Sequence, residues 1–412
     1  MCQKVLVTCS RVSTVIHEDE FRERRSRALA AAADRGLIGL VVLSRGGASA
    51  DQYGDVAYLA GHHTPMCQLQ DTPYWSGRGY TAVVLPVDGP AVLITDNGDH
   101  ALTPQSADEV RFTVRVPETV AEVMHEAGMV GAEVGLVARE VLLHHHFLRM
   151  EEALNASVAW RPAEDILETL RRVKSPAELQ LLREAADVGC QWVNAIMDAV
   201  EPGRTEGECV AAGLNYLSTQ AAKPYDVAVA SGPESARYGG DGLPFWNTKR
   251  KLERGDLFHV DAWGPVRLYY TDIMRSTVVG GSPTVEQRDL LDGAVEFINY
   301  IVAGIAPGAT VGSLHARGME WLVEHDFLSA PDSGPGNAMQ LQFPAFGHGL
   351  GMGLDTPYIL ADEPTVIESG MVIAVEGMLT RPGLGGVGNE ENVIVTGDGY
   401  ELLTAACPPR RW

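Results

Sequence analysis

The sequence predicts an α/β N-terminal unit followed by an α+β C-terminal unit with an internal pseudo-two-fold repeat. Two observations carry this. Residues 1–165 alternate between helical and strand patterns. From about residue 166 the chain instead runs through two helices and then a group of strands, and that order occurs twice. The chain has 412 residues, enough for two or three domains. The pattern divides it into units 1–165 and 166–412.

In the first unit, FRERRSRALAAAADRG reads as a helix that stops at Gly36. LIGLVVLS then has strand character. TAVVLPV and AVLITD form two more strand candidates across an Asp88-Gly89-Pro90 turn signal. GHHTPMCQLQDTPYWSGRG has no period and reads as a long loop, a type of segment that often carries function. His144-His145-His146 read as solvated or partly buried histidines, because consecutive residues do not share a helix face. In the second unit, Ser175, Pro176 and Glu178 mark a capped helix start, and Thr205 opens another helix. Strand patterns follow from about residue 225. Two helices are expected near 284–304 and 310–328, and strands with Gly-rich turns from about residue 340.

Composition narrows the function classes. Apolar residues make up 45% and charged residues 21%, as in globular proteins. A net charge of −22 repels phosphate backbones and anionic membrane surfaces, so neither nucleic acid nor membrane is expected as a partner. Six scattered cysteines without a CxxC pair read as reduced thiols, hence a cytoplasmic setting. The apolar stretch in MCQKVLVTCSRVST is too short for a signal-peptide core, and no run of about 18 apolar residues occurs.

Chemistry concentrates in the second unit. Asp261 and Asp272 each interrupt an apolar or aromatic strand, LFHVDAW and YYTDIM. Buried carboxylates are costly unless paired. These two stand eleven residues apart around Gly264-Pro265, which predicts a hairpin that brings both acids together. Glu376 ends an apolar stripe with Val372 and Ala374, and Glu390 follows the turn GLGGVG, giving a second acid-bearing hairpin. His348 sits among glycines in AFGHGLGMG. Four carboxylates and one imidazole suit two divalent ions such as Mn, Fe, Co or Zn, and the absence of thiolate argues against a structural zinc site. Two ions about 3.5–4 Å apart activate water and polarise a carbonyl. GLGGVG fits a dinucleotide fingerprint in letters only, since it opens no helix. No GxSxG nucleophile elbow is present.

The ordered set RGDLFHVDAWG, YYTDIMRSTVVG, AFGHGLG, GMVIAVEGML and GVGNEENVIVTG resembles the pita-bread metallopeptidases: methionine aminopeptidase, aminopeptidase P, prolidase and creatinase. The likeness covers the C-terminal half, including LRRVKSPAELQLLREAADVG and EPGRTEGE. YLAGHH and the strands after it are similar to the creatinase/prolidase-type N-terminal domain. The resemblance implies a pita-bread catalytic domain whose metal ligands are Asp261, Asp272, His348, Glu376 and Glu390. Asp272 and Glu390 would bridge two ions, and Glu376 would help move the proton of the attacking water. Glu391 is the alternative last ligand, but strand parity turns it to the opposite face. Arg275 is a candidate partner of a ligand carboxylate. The resemblance also implies a homodimer in which the loop at 62–78, with Tyr74 and Trp75, reaches a neighbour's pocket.

The sequence departs from the family at two places. Where family peptidases carry a second histidine seven residues after the first, Asp355 stands, suited to a base or a cation-binding acid. The stretch ESARYGGDGLPFWNTK lacks the histidine found upstream of the first Asp. Catalytic candidates are therefore Glu376, His348 and Asp355, with Tyr238, Trp246, Trp263, Tyr269 and Tyr270 as aromatic candidates for the substrate pocket. The expected activity is hydrolysis of a C–N bond, Xaa-Pro-directed or of a small amide. The alternatives are creatinase-like hydrolysis or lyase chemistry on an amine, amidine or betaine, or a binding role without catalysis.

Overall fold

The apolar run at 37–43 needs cover on both faces, and it becomes the centre of the first sheet. The structure, a computed structural model, describes residues 15–46, 52–97, 106–138, 140–240, 243–327 and 344–412. The segment MCQKVLVTCSRVST, with Cys2 and Cys9, lies outside them.

The first unit comprises α1 (Glu18–Asp34), β1 (Gly39–Arg45), α2 (Gly54–Ala60), β2 (Tyr80–Pro86), β3 (Val92–Thr95), β4 (Glu109–Phe112), α3 (Val116–Glu126), β5 (Glu133–Val137), α4 (His144–Leu154) and β6 (Ala159–Pro162). The strands form one mixed sheet in the order β4-β3-β2-β1-β5-β6, with β1 antiparallel to β2 and parallel to β5. The two-residue period of a strand decides what each face packs against. Leu40 and Val42 lie in a cluster with α1 and α2, whereas Val41 and Leu43 pack with Val120 and Met124 of α3 and Met150 of α4. Helix α5 (Glu164–Arg172) runs across position 165, so a boundary there falls inside a helix.

The second half begins with α6 (Pro176–Asp198) and α7 (Glu206–Leu217), each opened by a complete capping box from Ser175 and Thr205. They back the three-stranded sheet β7-β8-β9, formed by β7 (Asp226–Ser231), β8 (Leu257–Val266) and β9 (Tyr269–Val278). Then α8 (Val285–Val302) and α9 (Val311–Glu324) back a five-stranded sheet. Its order is β11-β10-β12-β13-β14, from β10 (Gly347–Leu350), β11 (Leu354–Tyr358), β12 (Val372–Arg381), β13 (Gly385–Thr396) and β14 (Gly399–Leu402). The helix pair followed by strands thus occurs twice, as in the expected pita-bread arrangement. The sheets meet where β9 lies against β13. Asn392 Nδ2 donates to the Asp272 carbonyl, and Ser276 Oγ both donates to the Gly388 carbonyl at 2.7 Å and accepts from its N–H at 2.8 Å.

One local expectation is corrected. Gly264-Pro265 is not the turn of the first hairpin, because both residues lie inside β8. The turn is Arg267-Leu268, two non-glycine residues at φ 52° and 75° between the paired Val266 and Tyr269. Both positive φ values match a tight hairpin turn. Surrounding contacts hold them: Arg267 Nη1 reaches Glu184 Oε2 at 2.7 Å, and Tyr53 donates its hydroxyl to the Leu268 carbonyl at 2.7 Å. Gly264 is needed for close approach instead, since a Cβ there would stand 2.3 Å from the Lys223 carbonyl oxygen.

Candidate metal centre

The two hairpins place their acids by register. In β8 and β9, Asp261 pairs with Met274 and Asp272 with Trp263, so both acids share a face, offset by one diagonal step. In β12 and β13, Glu376 and Glu390 are directly opposite. His348 lies opposite Ala374, two residues before Glu376 on the same strand, which turns its ring to the same face. Contact between β9 and β13 closes the two sets into one cluster. Carboxylate oxygens of Asp261, Asp272 and Glu390 lie within 4.8 Å of one another. His348 Nε2 is 3.5 Å from Asp272 Oδ2 and 3.6 Å from Glu376 Oε1. The structure therefore brings together all five residues named as ligands.

The cluster has the character of a cation site. Buried carboxylate oxygens normally have hydrogen-bond partners. Here Asp261 Oδ1, Asp272 Oδ1 and both Glu390 oxygens are buried without one among the described residues. Burial raises the pKa of all four acids. The charge of Glu376 adds to the shift of Asp261, and that of Asp261 to the shift of Asp272. His348 Nδ1 is 2.9 Å from the Gly349 carbonyl, which can only accept, so Nδ1 carries the proton. Nε2 then directs a lone pair at two carboxylates, an arrangement that a cation between them satisfies. The oxygen-rich donor set with one imidazole fits divalent ions.

Supporting contacts fix the cluster. Tyr238 donates its hydroxyl to Asp261 Oδ2 at 2.6 Å. His259, on the same face of β8 as Asp261, lies 3.0 Å from the Tyr238 carbonyl through Nε2 and holds the segment that carries Tyr238. Sequence reading missed His259, although the FHVD alternation contained the signal. Arg275 is fully buried. It donates to the backbone carbonyls of Glu390 and Cys407 and lies 3.3 Å from Glu391 Oε2. Glu391 also accepts from the Thr404 hydroxyl, so its carboxylate is committed away from the cluster.

A cavity of about 360 Å³ opens onto the acids. Tyr238, Trp263, Met274, Phe346, Leu354, Tyr358 and Met378 are among its walls. Other candidates fall elsewhere. Asp355 does not face this cavity: Leu354 and Tyr358 line it from one face of β11, and Asp355, at odd spacing from both, points to the other. Its carboxylate meets Arg171 Nη2 at 2.6 Å, and Arg171 also holds Asp55 Oδ1 at 2.7 Å. Trp246 packs over Gly207 beside the α6–α7 core. Tyr269 and Tyr270 are buried in the core, Tyr269 donating its hydroxyl to Glu178 Oε1 at 3.1 Å.

Fold and site define the class: a two-part pita-bread protein with a carboxylate-rich candidate metal pocket. Residues 180–397 match the model of metallopeptidase family M24. The chain belongs to that family. It is 31% identical over 249 residues to the Xaa-Pro dipeptidase of Pyrococcus furiosus, covering 60% of this chain and 66% of that protein, just under two thirds. It is 27% identical over 390 residues to the probable dipeptidase PepE of Mycobacterium tuberculosis, covering 92% of this chain and 93% of the relative. The prolidase structure from Pyrococcus horikoshii OT3 superposes with a TM-score of 0.74 at 20% identity, covering 93% of this chain and 98% of that one. The superposition supports the same fold.

Proposed function

We propose that the chain is a dinuclear metal-dependent hydrolase that cleaves a C–N bond in a short peptide or small amide. The observation that carries this reading is the set of buried, unpartnered carboxylate oxygens of Asp261, Asp272 and Glu390 at the end of a substrate-sized cavity. Asp272 and Glu390, from the two touching strands, would hold the ions together with Asp261, His348 and Glu376. Ions held there supply a water of lowered pKa and a polarised carbonyl. Glu376 borders the cavity, where it can take a proton from water and pass it to the leaving nitrogen. Tyr238 fixes the orientation of Asp261, and His348 keeps Nε2 free of its proton. The relatives named as dipeptidases support peptide-like substrates.

A second reading is action on a small amine, amidine or betaine. Tyr238, Trp263, Phe346 and Tyr358 give the cavity aromatic walls suited to an alkylammonium group. Neither Lys nor Arg occurs among its described lining residues to pair with the free carboxylate of a dipeptide. The deciding experiment loads purified protein with Mn²⁺ and assays Xaa-Pro dipeptides, their C-terminal amides, and small amidines and betaines side by side. Peptide or amide cleavage supports the first reading, and turnover of the amidines or betaines alone supports the second. About two ions per chain without any turnover would favour a metal-holding binding protein.

The division into units 1–165 and 166–412 belongs to the same proposal, with α5 as the connecting helix. So does a homodimer, supported by Tyr74, which is 79% exposed in the loop between α2 and β2. A monomeric mass in light scattering would contradict it. Cys67, Cys190, Cys209 and Cys407 are free thiols, which supports a reducing, cytoplasmic setting. No described helix is long and apolar enough to cross a membrane.

A further inference from the structure

The adjacent histidines of α4 do converge. His145 and His146 lie in the first turn of the helix, and the loop before β2 brings Asp71 up to both. His146 Nε2 is 3.1 Å from Asp71 Oδ1, and His145 Nε2 is 3.5 Å from Asp71 Oδ2. The two rings lie 3.8 Å apart, centre to centre, tilted by 45°. One donor atom from each of the three residues falls within 4.8 Å of the other two.

We propose that Asp71, His145 and His146 form a second metal site, for a borderline divalent cation such as zinc or nickel, that clasps the loop before β2 to α4. Two imidazole nitrogens and one carboxylate are the donor set such ions prefer, in contrast to the acid-dominated centre in the other half of the chain. Each nitrogen faces a different oxygen of one carboxylate, as ligands around one ion would. A hydrogen bond between Asp71 and His146 accounts for Oδ1, but Oδ2 is buried and has no hydrogen-bond partner among the described residues.

The surroundings favour metal-ready ligands. At a helix N-terminus the backbone dipole disfavours imidazolium, and His146 is only 1% exposed. Neutral imidazole is the form that binds metal. Gly77 donates its N–H to Asp71 Oδ1 at 3.0 Å, fixing the carboxylate from behind. Among the described residues the nearest Arg or Lys, Arg149, is 3.9 Å from Asp71 Oδ2 but is bound through Nε and Nη2 to Glu118 Oε1 at 3.1 and 2.7 Å. His145 is 54% exposed and borders a surface pocket with Gln68 and Gln70, which leaves room for a water as a fourth ligand.

The test strips full-length protein of metal, saturates it with Zn²⁺, removes free ion by dialysis and counts zinc per chain. The wild type should retain one equivalent more than His145→Ala and His146→Ala. Zinc should also slow proteolysis of the 62–79 loop in the wild type and in neither variant. Exposed His145 is the decisive position, because its replacement leaves the packing of His146 in place, and circular dichroism checks the fold. Equal zinc counts in the wild type and His145→Ala would overturn the proposal and leave Asp71 and His146 as an ordinary hydrogen-bonded pair.

Discussion

Asp272 carries two duties at the level of single atoms. Its carboxylate meets His348 and the acids of both hairpins, while its backbone carbonyl accepts from Asn392 across the junction of the sheets. Asp272→Ala removes only the first duty. We therefore expect loss of metal and of activity with a native circular dichroism spectrum; full turnover by this variant would refute the assigned centre. Arg275 differs, being a buried cation that neutralises Glu391 and holds the backbone of Glu390. Arg275→Met leaves a buried carboxylate without its charge partner, a change that costs roughly 3–5 kcal/mol in comparable cases. Urea denaturation should show a loss of that order. A loss below about 1 kcal/mol would mean that Glu391 finds another partner.

At the level of elements, the centre depends on how closely α6 and β9 approach. Gly189 of α6 lies against β9 so tightly that an added Cβ would stand 1.8 Å from Thr271 Oγ1, beside Asp272. Gly189→Ala should push the helix off the strand and cost about 1–3 kcal/mol, as overpacking does. It should also weaken metal retention, because the strand that moves carries the candidate ligand Asp272. Thermal melts with and without Mn²⁺ read both effects, and an unchanged melt would show that the helix yields freely. The tie from Arg171 to Asp55 and Asp355 acts at the same scale. It joins α2, α5 and β11, and β11 pairs with the strand that carries His348.

For the whole molecule, the acids tie stability to pH and metal. Burial, followed by the charge of Glu376, pushes Asp261 up to about 7, and the other three acids are also raised. A carboxyl with a raised folded pKa contributes stability that is full below its unfolded value. That contribution is lost as pH rises through the folded value. Metal-free protein should therefore melt at progressively lower temperature between pH 4 and about 7. Divalent ions bind the ionised carboxylates, so Mn²⁺ should raise the melting temperature most at neutral pH. Scanning calorimetry in EDTA and in Mn²⁺ at pH 5 and 7.5 tests this, and a pH-independent melt in EDTA would contradict it.

The sequence by itself determined most of the elements and singled out the candidate ligands. Capping boxes at Ser175 and Thr205, strand alternation around Asp261 and Glu376, and glycines beside His348 are local signals, set by backbone propensity and the two-residue strand period. Other features depend on contacts between distant segments. The hairpin turn at Arg267-Leu268 breaks the usual turn chemistry and is held by Glu184 and Tyr53. Asp355 occupies a position where the family resemblance placed a working residue, yet the face it takes on β11 gives it to Arg171. The pairing of Asp71 with His145 and His146 joins residues more than seventy positions apart. Tertiary structure alone decided these, because which face a strand residue shows, and which loop reaches a helix end, is fixed by packing energy summed over the whole chain.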